Sequence, residues 1–188
     1  MVNLSLYSVQ AVLILDNEGK RIYTKYYYPP HEPKEDSICS NVKKQKEFET
    51  SLFKRTHKQD ASILVYEDHL VLYEECSDVS LYLIGSLQEN EIVLHDTLNA
   101  IRLAIKLVLN TDIDKRDIQE NYDIVCLVVD ETIDDGIILE TDPQTIASRV
   151  TKLPTKDVSV SIDLSEKGLL SAWGFAKSKL AEKLQQGL

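Results

Sequence analysis

Residues 7–28, YSVQAVLILDNEGKRIYTKYYY, decide the fold. Tyr7, Val9, Ala11, Leu13 and Leu15 line one face of a period-two pattern, while Val12 and Ile14 keep the other face partly apolar. Alternation with β-branched content predicts a strand covered on both faces over part of its length. Asp16-Asn17-Glu18-Gly19 is turn chemistry, since Gly19 can take the left-handed conformation that closes a short hairpin. Lys20 to Tyr28 returns as the partner strand, with Ile22 and the aromatic Tyr23, Tyr26, Tyr27 and Tyr28. Pro29, Pro30 and Pro33 then end the strand and make an exposed connection.

Beyond the prolines the period changes. Ile38, Val42, Gln45, Phe48, Leu52 and Thr56 step by three or four, which predicts a helix with a mainly apolar stripe against a basic face. Ser62 to Tyr66, Leu70 to Glu74 and Val79 to Ile84 are β-rich, and their short separators permit only antiparallel hairpins. A second helix fits Glu91 to Leu109, where Leu94, Leu98, Ile101, Ile105 and Val108 form the stripe and apolar neighbours predict burial on more than one side. Tyr122 to Ile133 is ambiguous by pattern, because Ile124 to Val129 also suits a buried strand. Gly136 suits a helix C-terminus. Thr141-Asp142-Pro143 opens a last core helix, running to about Lys152, with a capping side chain before proline at the first helical position.

These segments predict an α+β fold, a five-stranded antiparallel sheet flanked by helices, over residues 1–153. Residues 154–164 read as a linker. Residues 165–188 read as an amphipathic helical tail whose stripe is Leu169, Trp173, Ala176, Leu180 and Leu184. That tail is expected to dock in a partner's groove, with its own domain or a membrane surface as the other hosts.

The 188 residues carry a formal net charge of −10, which argues against a dedicated nucleic-acid binder. The charge is segregated. Between Ser40 and Lys58 stand Lys43, Lys44, Lys46, Lys54, Arg55 and Lys58 against Glu47 and Glu49, so this segment is +4 and the remainder −14. A solvated helix face explains such a run; contact with an acidic partner or anionic lipid head groups is the alternative. Cys39, Cys76 and Cys126 are odd in number and far apart, which points to a reducing compartment. The N-terminus lacks signal-peptide features and the longest apolar run is far too short to span a bilayer, so a cytosolic protein with at most peripheral membrane contact is expected.

Catalytic constellations are missing from the pattern. There is no GxGxxG, no GxxxxGK[ST] and no GxSxG. His31, His57, His69 and His95 have no ligand-spaced partner, and His95-Asp96 reads as a polar helix edge rather than an oriented base. Asp130, Glu131, Asp134 and Asp135 lack the alternation of a calcium loop and read as a solvated helix end that a partner could recognise. Cys126 reads as core. No catalytic residue, cofactor or metal is expected.

Long runs carry a family resemblance. They are residues 5–19 (SLYSVQAVLILDNEG), 21–27 (RIYTKYY), 44–49 (KQKEFE), 54–57 (KRTH), 81–86 (LYLIGS), 89–91 (ENE) and 129–143 (VDETIDDGIILETDP). Over these the chain resembles the zeta subunits of the coatomer (COPI) vesicle coat, and more distantly the sigma chains of clathrin adaptors and longin domains. The resemblance implies a longin-like fold with helix at Tyr122 to Ile133. It also implies a non-catalytic scaffold role: tight pairing with a gamma subunit in an adaptor-like heterotetramer alongside the beta and delta subunits. The GTPase Arf would recruit that assembly, so this chain would reach Golgi membranes and COPI vesicles only peripherally, on the cytosolic side. Golgi-to-endoplasmic-reticulum and intra-Golgi transport are the implied routes. Glu67 follows Tyr66 where sigma chains carry a basic residue, the Pro29 to Asp36 connection is long, and the tail from Pro154 matches least; the sigma chains' pocket for dileucine signals is therefore not carried over. A small chain of another trafficking adaptor is the alternative, and an enzyme with a deep polar pocket a remote third. Aromatic enrichment at interface cores nominates the exposed members of Tyr26, Tyr27 and Tyr28, together with Trp173 and Leu180 of the tail, as the partner interface.

Overall fold

Strand β1, Val9–Asp16, is buried at every position except Gln10, as expected of a strand with apolar residues on both faces. In the computed structural model, which describes residues 6–28, 41–57, 59 and 61–151, β1 pairs antiparallel with β2 (Arg21–Tyr26) on one side. On its other side lies β5 (Val79–Ser86), followed by β4 (His69–Cys76) and the edge strand β3 (Ile63–Tyr66). The sheet order is β2-β1-β5-β4-β3, the predicted five-stranded antiparallel arrangement.

The β1–β2 turn needs its glycine twice over. Gly19 has φ +75°, and a Cβ there would lie 2.6 Å from Phe53 Cδ1. Asp16 closes the same turn, its Oδ1 accepting from the N–H of Glu18 (2.9 Å) and Lys20 (2.8 Å). The β3–β4 turn makes the same left-handed excursion without glycine, at Glu67 (φ 46°) and Asp68 (φ 64°).

Helix α1 (Val42–Thr56) starts at Asn41, whose Oδ1 accepts from Lys43 N–H at 2.9 Å. Its predicted stripe is buried at Phe48, Leu52 and Thr56, while Val42 is exposed. Helix α2 (Glu91–Leu109) is capped in the same way by Asn90 and ends on Asn110 in the left-handed conformation (φ 58°). A short helix α3 (Lys115–Glu120), not legible as a separate element, follows its cap Asp114. Residues 122–132 are helix, as the family resemblance implied, forming α4 (Tyr122–Thr132). Asp142 caps α5 (Pro143–Thr151) through Thr145 N–H at 2.8 Å.

Gly136 corrects an expectation. It does not end a helix, because α4 stops at Thr132 and a small hairpin follows, β6 (Ile133–Asp134) and β7 (Ile137–Ile138). Asp135 (φ 46°) and Gly136 (φ +86°) are its two left-handed turn residues, the Asp-Gly pairing that a type I′ hairpin prefers. Gly136 C=O accepts from Val9 N–H at 3.0 Å, and a Cβ on Gly136 would stand 2.6 Å from Val9 C=O. The run Asp130 to Asp135 is therefore a helix end plus a hairpin.

The sheet separates two cores. Facing α2, α4 and α5 is a mainly aliphatic core including Val12, Ile14, Leu72, Leu83, Leu98, Ile101, Val125 and Ile146. Facing α1 is a smaller, aromatic-rich core of Leu13, Leu15, Phe48, Leu52, Phe53, Tyr73 and Tyr82 with their neighbours. The linker and tail expected at 154–188 lie outside the described residues, as do Cys39 and the proline connection.

Candidate partner interface

Consecutive residues on an extended chain point to opposite faces, so Tyr26, Tyr27 and Tyr28 cannot share one surface. Tyr27 is 3% exposed and belongs to the aliphatic core beneath Gly136, which removes it from any partner surface of this domain. Tyr26 and Tyr28 are half-buried. Tyr26 packs on the α1 side, where its hydroxyl donates to Glu49 Oε1 at 2.7 Å. Trp173 and Leu180 lie outside the described residues.

Tyr26 leads to a cluster that sequence reading missed. Glu49, on the inward side of α1, is 3% exposed. Arg21 on β2 grips it bidentately, Nε to Oε2 at 2.9 Å and Nη2 to Oε1 at 2.7 Å. The hydrogen bond to Glu49 also raises the Arg21 pKa further above its usual value. Gln45 Oε1 accepts a longer bond from Arg21 Nη2, 3.4 Å. The cluster fastens α1 to the edge strand β2. Its one sequence signal is an acidic residue flanking an apolar stripe, and its partner lies 28 residues away.

A second cluster holds the far end of β1. Asp16 is 1% exposed, and its Oδ2 accepts from Lys115 Nζ at 2.8 Å. Burial pushes the Asp16 pKa up, but the Lys115 ammonium and the two turn N–H groups outweigh it, so the carboxyl sits below its usual value. Asp78 Oδ1 accepts from Lys115 N–H at 2.8 Å and anchors the start of α3.

The groups considered for chemistry are dispersed. His95 and Asp96 are 3.8 Å apart and both exposed. Asp130 pairs with Lys25 (2.6 Å) and Glu131 with Arg149 (3.8 Å), while Asp134 and Asp135 are exposed in the hairpin turn. Among the described residues no three His, Cys, Asp or Glu side chains could hold a metal ion together. Burial pushes the Cys76 thiol up to about 11 and raises Cys126 as well, so neither is poised as a thiolate near neutral pH. A depression of about 380 Å³ beside α2 is bordered by Ser62, His95 and Asn99, with Arg102 tied to Glu74 at 2.9 Å. Among the described residues no helix is long and apolar enough to cross a membrane.

What this arrangement offers is surface. The basic outer face of α1 carries Lys43, Lys44, Lys46, Lys54 and Arg55, all exposed. Along the opposite side of the sheet, exposed apolar residues stand at Ile63, Val65, Ile92 and Val93.

Comparison with known proteins gives this surface a context. Residues 8–157 match the family model of the clathrin adaptor complex small chain. The coatomer subunit zeta of Saccharomyces cerevisiae is 60% identical over the full length of both chains. The human coatomer subunit zeta-1 is 39% identical over 89% of this chain and 90% of its own. The coatomer subunit zeta-2 of Arabidopsis thaliana is 33% identical over 94% of each. In structure, a chain from a homology model of the full-length AP-3 complex in a stretched open conformation superposes with a TM-score of 0.58. At 18% identity it covers 91% of this chain and 98% of that one, a likeness of fold.

Proposed function

The chain belongs to the clathrin adaptor small-chain family, in its coatomer zeta branch, and from that premise we propose that it pairs with the gamma subunit inside the COPI coat. The coarser statement, that it is a subunit of the coatomer coat, follows from the family itself. The observation that carries the proposal is 60% identity along the whole of both chains.

Within the proposal the chain is a scaffold. Its sheet and helices present surfaces to the gamma subunit, with beta and delta completing an adaptor-like assembly. Arf acts on that assembly, and membrane contact at the Golgi is peripheral. The route served is Golgi-to-endoplasmic-reticulum retrieval together with intra-Golgi transport. Tyr26 and Tyr28 remain the nominated contacts on the described domain, with Trp173 and Leu180 nominated on the tail. The β2–α1 corner suits this use, since the Arg21–Glu49 pair holds Tyr26 in place and leaves it partly accessible.

Affinity purification of the full chain from cytosol, followed by a high-salt wash, tests the reading. Retention of coatomer chains with gamma last to leave is the expected result. Recovery of adaptin chains instead would move the protein to another adaptor, and a solitary monomer would overturn the scaffold role. Placing negative charge at Tyr26 and Tyr28 (Tyr26→Glu with Tyr28→Glu) should release gamma, and unchanged retention removes that nomination.

A further inference from the structure

Pairing of the basic side chains singles out one helix. Outside α1 the described residues include eight lysines and arginines: Lys20, Arg21, Lys25, Arg102, Lys106, Lys115, Arg116 and Arg149. Each has a carboxylate within ion-pair distance. On α1 the pattern reverses. Lys44, Lys46, Lys54 and Arg55 have no carboxylate at that distance among the described residues, and Lys43 has only Glu47 at 3.9 Å. A chain with 31 acidic and 21 basic residues has carboxylates to spare, yet this helix face is left unmatched.

Helical geometry gathers three of the lysines. At about 100° per residue, Lys43, Lys46 and Lys54 fall within an arc of about 80°; the exposed Glu47 lies about 20° beyond Lys54, and Lys44 and Arg55 about 80° and about 100° beyond it. The row from 43 to 55 is about 18 Å long. Small Thr50 and Ser51 lie between the lysines and leave a shallow depression of about 420 Å³, edged by Lys43, Lys46 and Lys54 with Glu47 as its one carboxylate. Both hydroxyls are turned back onto their own helix, Thr50 to Lys46 C=O (2.7 Å) and Ser51 to Glu47 C=O (2.9 Å), so they supply no directional contact outward.

We propose that the outer face of α1 docks on anionic lipid head groups, with Lys43, Lys46 and Lys54 as the central contacts. Among the described residues only α1 itself edges this face, which offers nothing to grip the side chains of an acidic peptide. It does match a plane of negative charge, where position along the surface is immaterial. The −14 carried by the rest of the chain does not forbid this approach, because charges farther than about 8 Å from the surface are screened at physiological salt. This inference concerns the chain itself and stands apart from its pairing with gamma.

Co-sedimentation of the full chain with vesicles is the test. One set is phosphatidylcholine alone, and the other adds phosphatidylserine. Binding to the anionic set only, weakening as salt is raised, is expected. Each basic residue near such a surface is worth roughly fivefold in partitioning, so combined Lys43→Gln, Lys46→Gln and Lys54→Gln should lower binding roughly a hundredfold. All three side chains are exposed, so the fold should survive, and an unchanged thermal midpoint verifies it. A parallel variant, Lys177→Gln with Lys179→Gln and Lys183→Gln, separates α1 from the tail. Loss of binding in that variant but not in the α1 variant overturns the proposal, as does failure of the wild-type chain to bind anionic vesicles. Retention on immobilised polyglutamate without vesicle binding would assign the face to an acidic protein instead.

Discussion

The two faces of the sheet are built by different means. Toward α2, α4 and α5, three helices bury a broad aliphatic layer, with Leu94, Ile101, Ala104, Ile105, Val125, Val128 and Ile146 all inaccessible to solvent. Toward α1, a single helix covers a smaller layer of aromatic rings, and polar contacts do part of the fastening. Arg21 and Tyr26 converge on buried Glu49, and the Thr56 and Tyr82 hydroxyls meet at 2.8 Å. Apolar area stabilises without regard to direction, whereas a buried charge pair is neutral or favourable only while every member is present. The α2 face should therefore tolerate change gradually and the α1 face abruptly. Native-state hydrogen exchange compares them directly: α1 amides should exchange through a lower-energy opening than α2 amides. Equal opening energies would break the comparison.

The largest effect is expected where a charge is stranded. Arg21→Met leaves the Glu49 carboxylate buried with Tyr26 alone to satisfy it, and should cost roughly 3–5 kcal/mol in urea unfolding. Glu49→Leu should cost less, since the Arg21 side chain is 27% exposed and can turn to water. Replacing both, Arg21→Met with Glu49→Leu, should recover most of the loss. If the two singles proved equal and additive, the clamp would be ordinary packing. On the other face Ile101→Ala removes a fully buried side chain and should cost roughly 2–5 kcal/mol. That loss should appear in global unfolding rather than in local opening of α1.

Asp16 gives a pH-dependent prediction of intermediate size. Asp16→Asn keeps an oxygen for the turn N–H groups but loses the charge-assisted bond from Lys115, worth roughly 1.5–3 kcal/mol at neutral pH. The folded carboxyl lies below its ordinary value, so its stabilisation is fully present above the unfolded pKa of about 3.9. It disappears as pH falls through the folded pKa. The gap between wild type and variant should thus be constant from neutral pH to about 5 and close below about 4. A gap that persists in strong acid would mean that the Lys115 contact is not ionic. Smaller again is Tyr82→Phe, which removes the bond to Thr56 and should cost roughly 1 kcal/mol, loosening α1 more than α2.

The elements that could be read from the sequence are those whose signal is local. Stripes such as Leu94-Leu98-Ile101-Ile105 mark which helix face is buried, and Asn90 or Asp142 mark where a helix begins, because the physics acts within a turn or two. What escaped depends on distant chain. Asp135-Gly136 serves equally as a helix terminus or a hairpin turn. The choice falls to the hairpin because Ile137 pairs with Asp134 and bridges Tyr7, while Gly136 meets Val9. Glu49 looks like a surface residue until Arg21 is found opposite it, and Lys115 is 99 residues from Asp16. Of the nominated interface, the alternation of an extended chain could already have excluded one of the three tyrosines. Tyr27 proves to be that one.

The smallest expected effect is a gain, and it uses a hairpin that touches both faces. From β3, Leu64 and Tyr66 pack toward α1, while Ile63 and Val65 stay largely exposed on the other side. The turn joining β3 to β4 holds Glu67 and Asp68 at positive φ, a region where a residue with a Cβ is strained by about 1–2 kcal/mol. Asp tolerates that region better than Glu, because its short side chain bonds locally. Asp68→Gly relieves the strain but enlarges the unfolded ensemble, so the net gain should be roughly 0.5–1 kcal/mol. Because the Tyr66 ring packs tilted against Phe48 of α1 (ring centroids 5.6 Å apart), part of that gain should reach α1 and slow its exchange. The α2 amides, which meet this hairpin through β4 rather than through the turn's own strand β3, should change mainly with global stability. A uniform slowing of both helices would show that the faces open together, and the contrast between them would then be one of composition alone.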